Sequence, residues 1–134
     1  MFVAANFYGC ISIAQAYVES LSKFLLAHHK MRIAKNVPLR WEKLLEAGIV
    51  SATTHDAVEV IYSDRNDYHH LNSEIPQDFN ELETRAHTCI DSLYIVEADV
   101  FSHSYSSGKI VPLKPEPWNL NNEGQVFVNI RKPW

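Results

Sequence analysis

The sequence is poor in the residues that mark cross-linked, fibrous or repetitive proteins. Its 134 residues include 2 Cys, and Cys10 and Cys89 stand far apart, in no spacing typical of a metal or redox site. We therefore expect neither a disulfide framework nor a zinc ribbon, but two buried free thiols in a reducing cytoplasm. The 4 Gly and 6 Pro are too few for a collagen-like or low-complexity chain.

Long apolar runs and an excess of basic residues are also lacking. No stretch of about 18 apolar residues occurs, so the sequence predicts no membrane-spanning segment and no membrane partner. No Lys or Arg precedes Lys23, and the basic start of a secretory signal is therefore not expected. With 12 Lys and Arg against 16 Asp and Glu, the formal net charge is −4. This balance excludes a broad basic surface, so any nucleic-acid contact must come from a local basic site.

The composition that remains, 46% hydrophobic and 21% charged, is that of one globular domain. Apolar residues recur at steps of three and four over four segments, which predicts four helices, at about 2–29, 38–48, 52–70 and 77–103. On the first helix, Asn6, Gln15 and Glu19 indicate a half-solvated side.

Local signals define the ends of the later helices. Pro38 suits a first helical turn, and Gly48 is a plausible stop. The third helix opens after Ser51, where Thr53 with Asp56 resembles a capping box. On the fourth, Glu81 and Arg85 are spaced as an i,i+4 ion pair on the solvent side.

The last thirty residues change in character. Residues 104–108 are rich in turn formers, whereas 109–113 and 125–130 have strand composition and flank a turn-rich stretch. Three aromatic residues of this tail, Trp118, Phe127 and Trp134, are expected to pin it to the helices. The predicted fold is therefore all-α: an antiparallel four-helix up-and-down bundle over residues 1–103, with a short β-hairpin or extended arm over 104–134 packed on it.

A dense group of polar and ionisable residues ends the third predicted helix. Arg65 supplies a permanent cation with a fork of donors suited to phosphate. His69 and His70 supply groups that titrate near neutral pH, and Asn66 supplies an amide that can orient one of them. On a regular helix, Arg65 and His69 would be about 40° apart, and Asn66 and His70 would share a face.

This pattern carries a resemblance to a known family. Arg65-Asn66-x-x-x-His70 matches the Arg-x(4-6)-His motif of the HEPN domain family (higher eukaryotes and prokaryotes nucleotide-binding). The first helix around residues 14–21 and the long helix after the motif are similar to those of the family. The resemblance covers about residues 5–103.

The resemblance implies a metal-independent endoribonuclease, acting as a toxin or in antiviral defence, that cleaves RNA in the cleft of a homodimer. It assigns His70 as the general acid/base and Arg65 as the residue that stabilises charge on the phosphate; Asn66, His69 and Tyr68 would support them. No cofactor and no metal is implied. An antitoxin or another defence protein is the implied protein partner, and the location is cytoplasmic.

Two features of the sequence depart from the family pattern. Toxins paired with nucleotidyltransferase antitoxins often extend the motif to His-x-Tyr, but Asn72 stands at that position here, which argues against an antitoxin of that type. In addition, helix geometry favours His69 as the partner of Arg65, whereas the motif assigns His70. The proton carrier is left open between these two residues.

Other interpretations of the same residues stand beside the enzyme. Arg65 can simply pair with a nearby acidic group, in which case the domain would be a non-catalytic RNA- or nucleotide-binding module, a dimerisation module, or a structural bundle within a larger defence assembly. Glu83, His87 and Asp91 form a stripe with metal-ligand chemistry, but a solvated helix face explains it better.

Overall fold

The computed structural model describes residues 2–63, 65 and 79–126, and residues 2–5 by their backbone alone. Within these residues the chain is mostly helical. The elements in order are α1 (Phe2–His28), α2 (Val37–Glu46), α3 (Ala52–Tyr62), α4 (Phe79–Val100), β1 (His103–Ser106) and β2 (Lys109–Pro112). The prediction of a mostly helical chain with a small β appendage is confirmed.

The long helix α1 organises the core. It packs against α2, α3 and α4, and α4 packs in turn on α3. The buried face of α1 follows the predicted steps of three and four, through Ile11, Ala14, Val18, Leu21 and Leu25. Burial of this stripe removes apolar surface from water, which is the main force that holds the helices together.

The boundaries of helix α2 agree with the predicted ones to within two residues. Pro38 occupies the first turn, and the buried stripe includes Trp41 and Leu44. At the C-terminus the Ile49 amide donates to the Leu44 carbonyl, 2.9 Å away, and Gly48 has φ +68°. This is the hydrogen-bond pattern of a Schellman motif, which favours glycine because it needs a left-handed backbone.

Helix α3 begins after Ser51, as predicted, but its capping contacts differ from the predicted ones. Ser51 is the N-cap, and its Oγ accepts a hydrogen bond from the Thr54 amide at 3.2 Å. Thr53 lies inside the helix, so the expected Thr53–Asp56 capping box is wrong. Thr54 is fully buried, and its hydroxyl donates to Asp99 at 2.6 Å. The N-terminus of α3 is thus fixed both locally and through α4.

Helix α4 ends three residues before the predicted boundary, because Val100 is its last residue and His103 already belongs to β1. The predicted start at Gln77 lies outside the described residues. The expected ion pair of Arg85 with Glu81 is also wrong. Among the described residues, the Arg85 guanidinium donates hydrogen bonds to Val60 and Ser63, at the C-terminus of α3.

The two strands form an antiparallel hairpin in which His103 pairs with Pro112 and Ser106 pairs with Lys109. Ser107 and Gly108 make the two-residue turn, both with positive φ, as a turn that matches the twist of a hairpin requires. The stretch 104–108, predicted as a break, is therefore the first strand and its turn. The predicted strand 125–130 is described only as far as Val126, which forms a single bridge with Leu120.

The segment after the hairpin returns to the helices. Trp118 makes edge-to-face contacts with Phe101 and His103, at centroid distances of 5.9 and 5.7 Å. Lys114 forms an ion pair with Asp99 and donates to the Ile49 carbonyl. Trp118 contacts residues that follow α4, so its expected pinning to the helices stays a prediction, and Phe127 and Trp134 lie outside the described residues.

Both cysteines are free thiols, but only Cys89 is fully buried; Cys10 is half-buried. Burial raises the pKa of the Cys89 thiol, and the charge of Arg85 offsets part of that rise.

In the part of the chain that is described, every helix is too short or too polar to traverse a lipid bilayer.

Candidate functional site

At the C-terminus of α3 the chain leaves the helical conformation instead of continuing as a helix. We call residues 60–63 and the side chains that contact them the α3 corner. Ser63 leaves the helical region with ψ 146°, although its amide still donates to the Glu59 carbonyl. Its Oγ donates to the Val60 carbonyl at 2.9 Å. The prediction of one helix from 52 to about 70 is therefore wrong at Ser63, where α3 has ended.

Arg65 lies just past this corner, against α1. Its Nη2 donates to Glu19 Oε2 at 3.3 Å, and its guanidinium carbon lies 5.5 Å from the centre of the Tyr62 ring. The side chain is 32% exposed, while its Nε is buried and has no hydrogen-bond partner among the described residues. Arg65 is thus held on two sides and still reaches solvent.

The other predicted site residues, Asn66, Tyr68, His69 and His70, lie outside the described residues. Of the motif, only Arg65 therefore has a described environment. The choice between His69 and His70 as its partner stays a prediction.

Two polar residues of α1 complete this corner: the expected exposure is wrong for Gln15, whereas Glu19 is partly exposed as predicted but its pairing with Arg65 was missed. Gln15, expected on a half-solvated side, is fully buried, and its amide donates to the Ile61 carbonyl at 3.2 Å. Glu19, one turn later, pairs with Arg65 and with Lys23. The available signal was their i,i+4 spacing next to the buried stripe: it places both on the border of the core, where they face a neighbouring helix end.

Arg85 of α4 supports the corner from the other side. Its Nη2 donates to the carbonyls of Val60 and Ser63, at 2.8 and 3.0 Å, and to Ser63 Oγ at 2.9 Å. Carbonyls at a helix C-terminus lack intrahelical partners, and a cation there also opposes the negative end of the helix dipole. Arg85 therefore fixes the point from which the chain leaves α3 toward Arg65.

A groove of about 230 Å³ lies between α2 and α3, next to this corner. Its apolar and aromatic walls are Val37, Pro38, Trp41, Val58 and Tyr62. Three polar residues, His55, Glu59 and Ser63, complete the lining. Tyr62 belongs to the groove and also contacts Arg65, so the groove and the arginine share one wall.

Among the described residues, one group of three side chains is close enough together to hold a metal ion. The ligand atoms of His55, Asp56 and Glu59 all lie within 4.8 Å of one another, but Asp56 is largely exposed. Of the stripe noted in the sequence, His87 and Glu83 are 3.9 Å apart and both are exposed, which fits the expected solvated face.

Comparison of the chain with protein-family models, with curated proteins and with solved structures gives no match. What is known of the α3 corner therefore comes from its own residues and their contacts.

Proposed function

We propose that the protein is a metal-independent endoribonuclease of the HEPN type, in which Arg65 and His70 act on RNA. On this proposal the four helices form the antiparallel up-and-down bundle of that family. The observation that carries it is the placement of Arg65: it follows a capped helix end, is held by Glu19 and Tyr62, and keeps about a third of its side chain in solvent.

This placement suits a phosphate-binding arginine. A guanidinium has five donors in a fixed fork, and Glu19 takes one bond to Nη2. A guanidinium that is already held by Glu19 and by the Tyr62 ring loses little further freedom when it binds, so it can present its remaining donors to a phosphodiester at low entropic cost.

RNA supplies the nucleophile for the proposed reaction. His70 removes the proton of the 2′-hydroxyl, and the 2′-oxygen attacks the adjacent phosphorus. Arg65 stabilises the negative charge that builds on the equatorial oxygens. The bond from phosphorus to the 5′-oxygen breaks, and a histidine of the site returns a proton to that oxygen. The products are a 2′,3′-cyclic phosphate and a 5′-hydroxyl, with no net change in protons.

A homodimer would complete the site. A chain of 134 residues with a net charge of −4 offers RNA little attraction as a whole. Two Arg–His sets facing one cleft would give a local positive potential there. A toxin or antiviral-defence role, with an antitoxin or another defence protein as partner, and a cytoplasmic location belong to the same proposal.

The test is RNA cleavage by the purified full chain, with and without EDTA. Arg65→Ala and His70→Ala should each lose cleavage while circular dichroism and oligomeric state stay unchanged. Arg32→Ala and His87→Ala, which change exposed residues elsewhere, are the matched controls. Activity should change between about pH 5 and 8, where a histidine near its ordinary pKa titrates. RNA left intact under all conditions, or cleavage that survives both substitutions, would overturn the proposal.

A second candidate, a non-catalytic RNA-binding or dimerisation module, is favoured by the Arg65–Glu19 pair itself. An arginine tied to a carboxylate can serve only to join α1 to the end of α3. Arg65→Ala would then lower the thermal midpoint or produce monomers. Loss of cleavage from a stable, unchanged oligomer distinguishes the enzyme from this module.

A further inference from the structure

We propose that the groove between α2 and α3 is a binding site for a guanine base, recognised by the carboxylate of Glu59. The inference rests on the proposed action on RNA, because it supplies the base-reading part of the same site. It starts from the shared wall: Tyr62 lines the groove and contacts the Arg65 guanidinium. A nucleotide with its phosphate at Arg65 would thus have its base beside this groove.

The size and lining of the groove suit one flat ring system. Its volume of about 230 Å³ is below the roughly 300–1,000 Å³ of sites for drug-sized ligands. Tyr62 offers aromatic surface, and Val37, Pro38, Val58 and the buried Trp41 complete apolar walls. Base–aromatic contact supplies affinity for any base; the polar residues of the groove must therefore supply the selectivity.

Glu59 determines the preference for guanine. An ionised carboxylate only accepts hydrogen bonds, through two neighbouring oxygens. Guanine presents two neighbouring donors on one edge, N1–H and the N2 amino group, and so matches both oxygens. Adenine and cytosine offer a single amino group on that edge, beside an acceptor that would face the second oxygen. Among the described residues, Glu59 has no lysine or arginine within ion-pair distance, so its carboxylate is not already neutralised by one.

The indole N–H of Trp41 is not part of this recognition. Trp41 is 1% exposed, and its N–H is buried without a hydrogen-bond partner among the described residues. Because this atom is closed to solvent, a base in the groove does not reach it, and the selectivity rests on the two carboxylate oxygens of Glu59.

Calorimetric titration of the full-length protein with nucleosides tests the assignment. Guanosine carries no phosphate, so its binding does not depend on Arg65, His70 or cleavage. Inosine, which lacks only the N2 amino group, and adenosine should bind roughly 10- to 100-fold more weakly than guanosine. Glu59→Gln should abolish the preference, since one carboxylate oxygen becomes a donor; Glu42→Gln, an exposed glutamate of α2 outside the groove, should leave it unchanged.

Each result separates this inference from the ribonuclease proposal. Absence of guanosine binding, equal binding of inosine, or a preference that persists in a folded Glu59→Gln protein would overturn the guanine site even if RNA is cleaved. Conversely, guanosine binding by a protein that cleaves nothing would support the site and refute the enzyme. The titration is repeated in EDTA, because a requirement for a divalent ion would indicate a metal at His55, Asp56 and Glu59 and would overturn direct recognition by Glu59.

Discussion

The Arg65 guanidinium lies 3.3 Å from the Glu19 carboxylate, so a residue beyond the end of α3 is tied to the middle of α1. The pair joins two segments that are 46 positions apart in the chain. If Arg65 binds phosphate as proposed, Glu19 has two opposite effects on it: it orients the guanidinium, and it competes with the phosphate for it.

These effects predict a split between the kinetic constants of Glu19→Gln. Loss of the competing charge should lower KM for RNA, whereas poorer orientation of Arg65 should lower kcat by roughly 10- to 100-fold. Steady-state cleavage of a short RNA measures both constants. Lys23→Met, which removes the other partner of Glu19 on the solvent side, should leave kcat nearly unchanged. Equal kcat for Glu19→Gln and the unmodified protein would refute a positioning role.

Removal of Arg85 should destabilise the fold. The sequence predicted only a solvent-exposed ion pair with Glu81, but Arg85 binds the C-terminus of α3. Arg85→Met removes the charged donor at the C-terminus of α3 and should lower the free energy of unfolding by about 1–3 kcal/mol. Urea denaturation measures the change. Glu81→Gln, at the partner predicted from sequence, is the matched control and should cost less than about 0.5 kcal/mol. A larger loss for Glu81→Gln than for Arg85→Met would contradict the described contacts.

Acid should weaken the fold through Asp99. Burial by itself would raise the pKa of Asp99, but hydrogen bonds from Lys114, Thr54 and the Ser51 amide outweigh burial and lower it to about 2. Because the folded-state pKa lies below the unfolded value of about 3.9, this contribution is present above about pH 5. It is lost as the pH falls toward 2, and amounts to at most about 2–3 kcal/mol.

Asp99→Asn should therefore flatten the dependence of stability on pH between about 5 and 2. Thermal melts at several pH values measure it, and Asp91→Asn, an exposed position on the same helix, serves as the control. An unchanged slope for Asp99→Asn would show that other carboxylates cause the acid sensitivity.

Two glycines should respond to alanine in opposite directions. Gly48 has φ +68°, so Gly48→Ala should cost about 1 kcal/mol even though nothing crowds a new Cβ there. Gly9 lies within α1, also with open space around a Cβ, and Gly9→Ala should stabilise the protein by about 0.5–1 kcal/mol. Chemical denaturation of the two variants in parallel gives the signs, and the same sign for both would refute the argument.

The sequence predicted the helices well because their signals are local. The α1 stripe and the Pro38–Gly48 boundaries follow from periodicity and backbone preference alone. The end of α3 was missed because it depends on Arg85, a residue of another helix that binds the carbonyls of Val60 and Ser63. The burial of Gln15 likewise depends on the α3 carbonyl that faces it.

The candidate site was predictable only in part for the same reason. Arg65 stands out in the sequence through its motif, but Glu19 and the groove along Glu59 arise from the packing of helices distant in sequence. No local pattern encodes a pairing across 46 positions. The predicted Thr53–Asp56 cap failed because a competing cap, Ser51, lies two residues earlier and is held by Asp99.

The contacts of Lys114 have a consequence for where the chain can be divided. This residue follows the hairpin, yet it bridges the carboxylate of Asp99 near the end of α4 and the carbonyl of Ile49 before α3. A protein truncated after residue 103 would leave Asp99 partly buried without its counter-ion, and Phe101 and His103 without the Trp118 ring. Helices and tail should therefore melt in a single cooperative transition, and a truncated chain would be a damaged protein rather than an isolated module.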